Sequence, residues 1–409
     1  MPKSTLGLLG LVPGPDFTAA AAAALLARPT AETAQVLDRL TGCGLLVRRR
    51  PGRYRLTAAA RARSRAAIPD ETGAAGAARR RLVDFYVHTA YAADRLLSPS
   101  HPPLDLAPPV AGCRPLEPAD REEALAWLDA ELDCLVAVRG LALAEALNRS
   151  VCQLAYSLNG HFVRRGRSAE QLDQWADALT AAELLGDHRA QALAHRFLGQ
   201  AGTRAGLPAR AAAHMERAVE AAGRTGDAAV RAEVRYIFAW VHEQAGRYED
   251  ALEQATAATE LFHEAGRHLQ EADALNAVGW YHALLGDTAR GSAGAFEALR
   301  LSRRHGYLEG QAAAQDSLGL MARRAGLPFK AISRFRSALQ LCRQLGNTYQ
   351  EAGILERLGA AHADAGLFEE ARNSLSDALD IYLAQHRSGE AEEVRRQLED
   401  VSPFPLALL

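Results

Sequence analysis

The chain has 409 residues, 48% hydrophobic and 23% charged, with a net charge of −2. That balance fits a globular protein and excludes a disordered or collagen-like one. Five scattered cysteines exclude a disulfide scaffold and a zinc-finger spacing, and no apolar run is long enough to span a membrane. The charge is uneven: residues 1–67 carry eleven Lys/Arg against three acids, and residues 68–148 carry seven against thirteen. The stretch 6–12 is too short and too glycine-interrupted for a signal peptide, so a reduced, cytoplasmic protein is expected.

Residues 1–67 read as a small separate domain. An apolar start (6–12) leads into an alanine-rich helix at about 17–27. Thr30 is placed to cap a third helix over 31–42, with Ala34, Leu37 and Leu40 as its buried stripe. A hairpin follows, in which Arg48, Arg49, Arg50, Arg53 and Arg55 surround a Pro51-Gly52 turn and Tyr54 and Leu56 alternate with Arg53 and Arg55. Three helices then a hairpin is winged-helix order. The arginines are candidate contacts for DNA phosphates or for an acidic protein surface. The helix before them offers Glu32, Thr33, Gln35, Asp38 and Arg39, which is a poor set for reading bases.

Residues 68–148 form a helical connector, with helices predicted at 77–97 and 119–138. Between them lie seven prolines in 98–118, a density that forces an extended surface loop.

Residues 149–387 are six forty-residue repeats. Gly166, Gly206, Gly246, Gly286, Gly326 and Gly366 are each forty apart, as are Gly186, Gly226, Gly266, Gly306 and Gly346. Alanine keeps the same step at 178, 218, 258, 298, 338 and 378, and a mid-helix glycine recurs at 199, 279, 319 and 359. Each unit reads as two helices, A and B, stopped by glycines that accept a left-handed backbone. The small mid-helix residues let neighbouring helices approach. Residues 388–409 supply a capping helix and tail.

The leucine-glycine pairs and stepped alanines resemble the tetratricopeptide repeat, with forty rather than thirty-four residues per unit. The order of LGLLGLVPGPDFTAAAAAALL, LDRLTGCGLLVRRRPGRYRL, RRRLVDFYVHTAYAADRLLSP and ALAWLDAELDCLVAV before the repeats is similar to a family of actinobacterial antibiotic regulators of the signal-transduction NTPase type. The resemblance covers their winged-helix and repeat portion. It implies an all-α fold: a right-handed tetratricopeptide superhelix behind an N-terminal winged-helix-like domain. The pattern departs at two places. Lys3 and Lys330 follow Pro2 and Phe329, so no phosphate-binding glycine-lysine loop exists in this sequence. Thr57-Ala58 stand after the wing where the family carries a histidine-aspartate nucleotide sensor.

No motif for hydrolysis, nucleotide binding or metal ligation is present, and no cofactor is expected. His242, His282 and His362 recur at forty-residue spacing, a helix-packing position rather than a metal site. By the repeat register, helix A lines a concave groove with Arg196 and Gln200, then Glu233, Tyr236 and Trp240, then Asp273, Asn276 and Trp280, then Asp316 and Leu320. Aromatic anchors beside a few polar groups suit a bound peptide, protein or small ligand. The acids favour a cationic or donor-rich one. The leading reading is a non-enzymatic regulatory or interaction protein, acting in control of secondary metabolism. The alternatives are a stand-alone DNA-binding regulator with a ligand-sensing repeat domain, and an enzyme with an unrecognised site in the repeat cavity. DNA binding and homodimerisation stay open.

Overall fold

The computed structural model describes residues 3–67, 73–98, 103–165, 167–385 and 387–401. Gly166 of the first glycine series, residues 99–102 of the proline-rich segment and the tail from 402 lie outside them. The chain divides into two compact units, 1–207 and 208–409.

The first unit opens with α1 (Lys3–Leu9), β1 (Phe17–Thr18), α2 (Ala19–Leu26), α3 (Thr30–Gly42), β2 (Leu46–Arg50), β3 (Arg53–Leu56) and α4 (Ala58–Ala66). Six alanines followed by two leucines make α2 a strong helix former. The Thr18 hydroxyl caps it, accepting from the Ala21 amide at 3.2 Å. Thr30 is not the cap of α3 as expected: Pro29 holds that place, and the Thr33 hydroxyl bonds back to the Pro29 carbonyl. The strands form one antiparallel sheet in the order β1-β3-β2, with Phe17 opposite Tyr54 and Leu46 opposite Leu56. Gly52 turns the hairpin at φ 74°.

Two long helices, α5 (Ala74–Leu97) and α6 (Arg121–Ala144), follow, then α7 (Asn148–Arg164), α8 (Ser168–Leu185) and α9 (His188–Arg204). Residues 1–67 were expected to stand alone as a domain. Instead Leu25, Leu37, Leu46 and Leu56 join Leu82, Tyr86, Leu128, Leu135 and Phe162 in one continuous core. The physical reason is that the buried face of α5, carrying Leu82, Phe85 and Tyr86, is largely apolar and needs a cover. The Arg81 guanidinium adds a polar tie, donating to the Ala24 and Leu25 carbonyls at 3.1 and 2.9 Å. The Leu25 carbonyl lies in the last turn of α2, where carbonyls lack i+4 helical partners, and the Ala24 carbonyl also accepts from the Ala27 amide.

The second unit stacks α10 (Pro208–Gly223), α11 (Ala228–Gln244), α12 (Tyr248–Glu264), α13 (His268–Leu284), α14 (Thr288–Arg304), α15 (Leu308–Arg324), α16 (Pro328–Leu345), α17 (Thr348–Asp364), α18 (Phe368–Ala384) and α19 (Ser388–Asp400). Every described glycine of the two forty-step series has a positive φ, between 63° and 92°. At 226–227 a single Gly-Asp pair provides a turn and a start: the Asp227 carboxylate caps α11 through the Ala229 amide at 2.9 Å. The stepped alanines 218, 258, 298, 338 and 378 are fully buried.

Gly279 shows what the mid-helix glycine is for. A Cβ there would stand 2.7 Å from the Gly291 carbonyl oxygen and 2.9 Å from the Ala295 amide. Helices α13 and α14 therefore touch backbone to backbone, which any side chain would prevent.

Candidate functional site

In the second unit, residues three and four apart bring Glu233, Tyr236 and Trp240 onto one face of α11, and Asp273, Asn276 and Trp280 onto one face of α13. All six are half-buried. Side chains that the repeat register did not single out knit this face together. Trp280 Nε1 donates to Glu243 Oε1 at 3.0 Å, and the Tyr281 hydroxyl donates to Glu243 Oε2 at 3.1 Å. The Tyr307 hydroxyl donates to Asp273 Oδ2 at 2.9 Å. Tyr236 packs edge-on against Phe262, with ring centroids 6.4 Å apart.

Burial dominates the electrostatics here. It raises the Glu243 carboxyl above its usual range, against the lowering pull of the Trp280 and Tyr281 hydrogen bonds. It pushes Asp273 up to about 7, where the Tyr307 hydrogen bond opposes it and the charge of Glu309 adds to it. Tyr236 is raised by burial first and then by the charges of Asp273 and Glu243. The Asn276 Oδ1 atom is buried and has no hydrogen-bond donor.

Asp316 does not behave as the sequence suggested. It was expected to offer open negative charge to a ligand. The Arg357 guanidinium instead grips both its oxygens, at 2.9 and 2.7 Å. Burial works against the Arg357 charge, but the Asp316 carboxylate overrides that and raises its pKa. Leu320 is buried among side chains of α15 to α19. Arg196 and Gln200 lie in the first unit, on α9, where the Arg196 guanidinium sits over the Phe197 ring at 4.5 Å. That ring stacks on Trp175 at 4.4 Å, and the Trp175 indole donates to Asn159 at 2.9 Å.

Two members of the histidine column, His242 and His362, are packed into the repeats. The His242 ring is buried and stacks on Phe238 at 4.2 Å, while His362 Nδ1 lies 3.2 Å from the Ser374 hydroxyl. Burial lowers the pKa of both.

The arginine hairpin departs most from expectation. Strand alternation placed Arg53 outward, but it is buried. Its guanidinium pairs with Asp16 at 2.6 Å and with Glu131 of α6 at 2.5 Å, and donates to the Cys134 sulfur at 3.3 Å. The Tyr86 hydroxyl completes the set, donating to Glu131 at 2.9 Å. Burial alone would lower the Arg53 pKa, but the two carboxylates raise it, and burial pushes the Cys134 thiol up to about 12. Arg53 is thus withdrawn from any DNA or protein surface. Arg48 is held by Asp38 of α3 at 2.5 Å and lies over the Tyr54 ring. Arg49, Arg50 and Arg55 are exposed. On α3, Thr33 is buried, which removes it from the face once offered to a groove.

Comparison with known proteins gives the context. The tetratricopeptide repeat family matches residues 310–384. The regulatory protein AfsR of Streptomyces griseus is 28% identical over an alignment of 431 residues, which takes in 96% of this chain and 43% of that protein. AfsR of Streptomyces coelicolor is 32% identical over 54% of this chain and 23% of that protein. The chain is homologous to the AfsR regulators. It spans less than half the length of either AfsR protein. Among solved structures, a signal transduction ATPase with a tetratricopeptide repeat sensor from Pyrococcus horikoshii aligns at 14% identity and a TM-score of 0.44, covering 93% of this chain and 56% of that one. Aspartyl phosphate phosphatase F from Bacillus subtilis aligns at 11% and 0.45, covering 69% and 81%. The fold is all-α and carries tetratricopeptide repeats. No helix among the described residues is long and apolar enough to cross a membrane.

Proposed function

We propose that the protein is a non-enzymatic regulator of secondary metabolism that binds its partner or ligand on the face shared by α11 and α13. The observation that carries this reading is the row of half-buried rings, Tyr236, Trp240 and Trp280, set beside the polar Glu233 and Asn276. Rigid aromatic groups flanked by hydrogen-bonding side chains are what recognition surfaces use as anchors. The test is complementation of a null strain with a Trp240→Ala, Trp280→Ala double variant whose helicity matches wild type. Loss of the regulated transcripts supports the reading, and wild-type transcript levels defeat it.

A second reading is favoured by the exposed Arg49, Arg50 and Arg55 of the hairpin. They suit contact with DNA phosphates, and such binding must weaken steeply with salt. Fluorescence anisotropy with promoter fragments across a salt series checks it. Binding that ignores salt, or no binding, removes DNA from the account.

A further inference from the structure

Glu243 and Asp273 are half-buried carboxylates whose charge burial disfavours, and among the described residues no basic group contributes to the electrostatics of either. Their only described hydrogen-bond partners are neutral: an indole and a phenol on Glu243, a phenol on Asp273. Elsewhere this molecule neutralises such acids with arginine. Arg53 serves Asp16 and Glu131, and Arg357 serves Asp316. A buried carboxylate without a counter-charge is costly, and so is a buried acceptor without a donor. The Asn276 Oδ1 atom is such an acceptor, on the same face of α13 as Asp273 three residues before it and Trp280 four residues after it. Tyr236 senses the charges of both acids, so the two carboxylates belong to one neighbourhood. The titratable groups that act on or are acted on by Asp273 are Tyr236 of α11, Tyr307 ahead of α15 and Glu309 on α15, and Glu243 reaches this set through Tyr236. None of them brings positive charge.

Resting on the reading of this face as a binding surface, we infer that it takes a protonated amine or guanidinium, whose N–H groups bond to Asp273, Glu243 and Asn276 beside the Trp280 and Tyr236 rings. Such a group supplies in one step the missing charge and the missing donors. An anionic ligand would deepen the imbalance, and a neutral one would leave it. Agmatine and the arginine side chain of a peptide share this chemistry.

The test uses the full chain at pH 8 and constant ionic strength. Agmatine, N-acetyl-arginine amide and 2-phenylethylammonium are titrated beside 2-phenylethanol and phenylacetate, with thermal unfolding and tryptophan fluorescence as readouts. The cations should raise the unfolding temperature and change the fluorescence, while the alcohol and the acid do neither. Agmatine against the arginine amide separates a free amine from a peptide-borne side chain. In Asp273→Asn and Asn276→Leu variants of native helicity, cation affinity should fall by about tenfold, the scale of one hydrogen bond to a charged group. Affinity should also weaken from pH 8 to pH 6, because protons then compete for Asp273. Cations that bind no better than phenylethanol, or an Asp273→Asn variant that binds them undiminished, overturn the inference. Should the cations fail while the tryptophan double variant still abolishes regulation, the binding face stands and its preference for cations falls.

Discussion

The two units each bring two carboxylates and a tyrosine into a buried place, and they treat them in opposite ways. In the first, Arg53 sits between Asp16 and Glu131 with Tyr86 beside it, and all principal donors and acceptors are matched. In the second, Glu243 and Asp273 have phenols and an indole for company and no cation. A matched set fixes geometry: it pins the hairpin to α6. An unmatched set stores an electrostatic debt that binding can settle. On the proposed reading, the contrast separates acids that hold the fold from acids kept for a ligand.

The comparison breaks most visibly at Arg53. An Arg53→Met variant leaves two carboxylates buried without their cation, which should cost about 3–5 kcal/mol. A drop in the urea midpoint of the first unit checks this, and adding Glu131→Gln should recover part of it. No loss on Arg53→Met would mean that the hairpin is not held this way.

Asp273 sharpens the other side. Its folded pKa, about 7, lies above its usual value of 3.8, so the native state binds the extra proton. Stability should therefore be greatest at low pH within this window and fall as pH rises from about 4 to 7, by up to a few kcal/mol. An Asp273→Asn variant should flatten that slope in the second unit's unfolding curve. A slope left unchanged would show that the carboxylate is not protonated by burial.

Trp280→Phe keeps a ring but removes one donor from Glu243. A loss of about 1–2 kcal/mol in chemical denaturation is expected, with Tyr281 still in place. The smallest effect should come from Arg49→Ala, Arg50→Ala and Arg55→Ala together, within roughly 0.5 kcal/mol each in stability, since the three side chains are exposed. A large loss there would reveal a structural role for these hairpin arginines.

The repeat was legible because its signals are local. Glycines at positive φ and fully buried alanines stand every forty residues, and each described unit between them holds a pair of helices. The face carrying Tyr236, Asn276 and Trp280 followed from the same register. Glu243, Tyr281, Tyr307 and Arg357 did not, because each pairs with a residue 34 to 41 positions away at a register offset of its own. Arg53 was misplaced for a related reason. Strand alternation is a two-residue rule, whereas its burial is set by Asp16 and by Glu131, 37 and 78 positions away. The fusion of residues 1–67 with α5 and α6 into one core likewise depends on long-range packing that composition does not report.

The contact at Gly279 makes the repeats mechanically unequal. At Gly319 the facing helix presents the Phe335 ring, and at Gly359 the Leu375 side chain, so those pairs are separated by compliant spacers. Between α13 and α14 there is no spacer to compress or rotate. That pair behaves as a stiff plank, and it carries Asp273, Asn276 and Trp280 on one side. A guest bound on α13, as proposed, would not be accommodated by parting α13 from α14, because their backbones already touch at Gly279. If the proposed guest binds there, the adjustment falls to the seams of α13 with α12 and α15 rather than to its contact with α14.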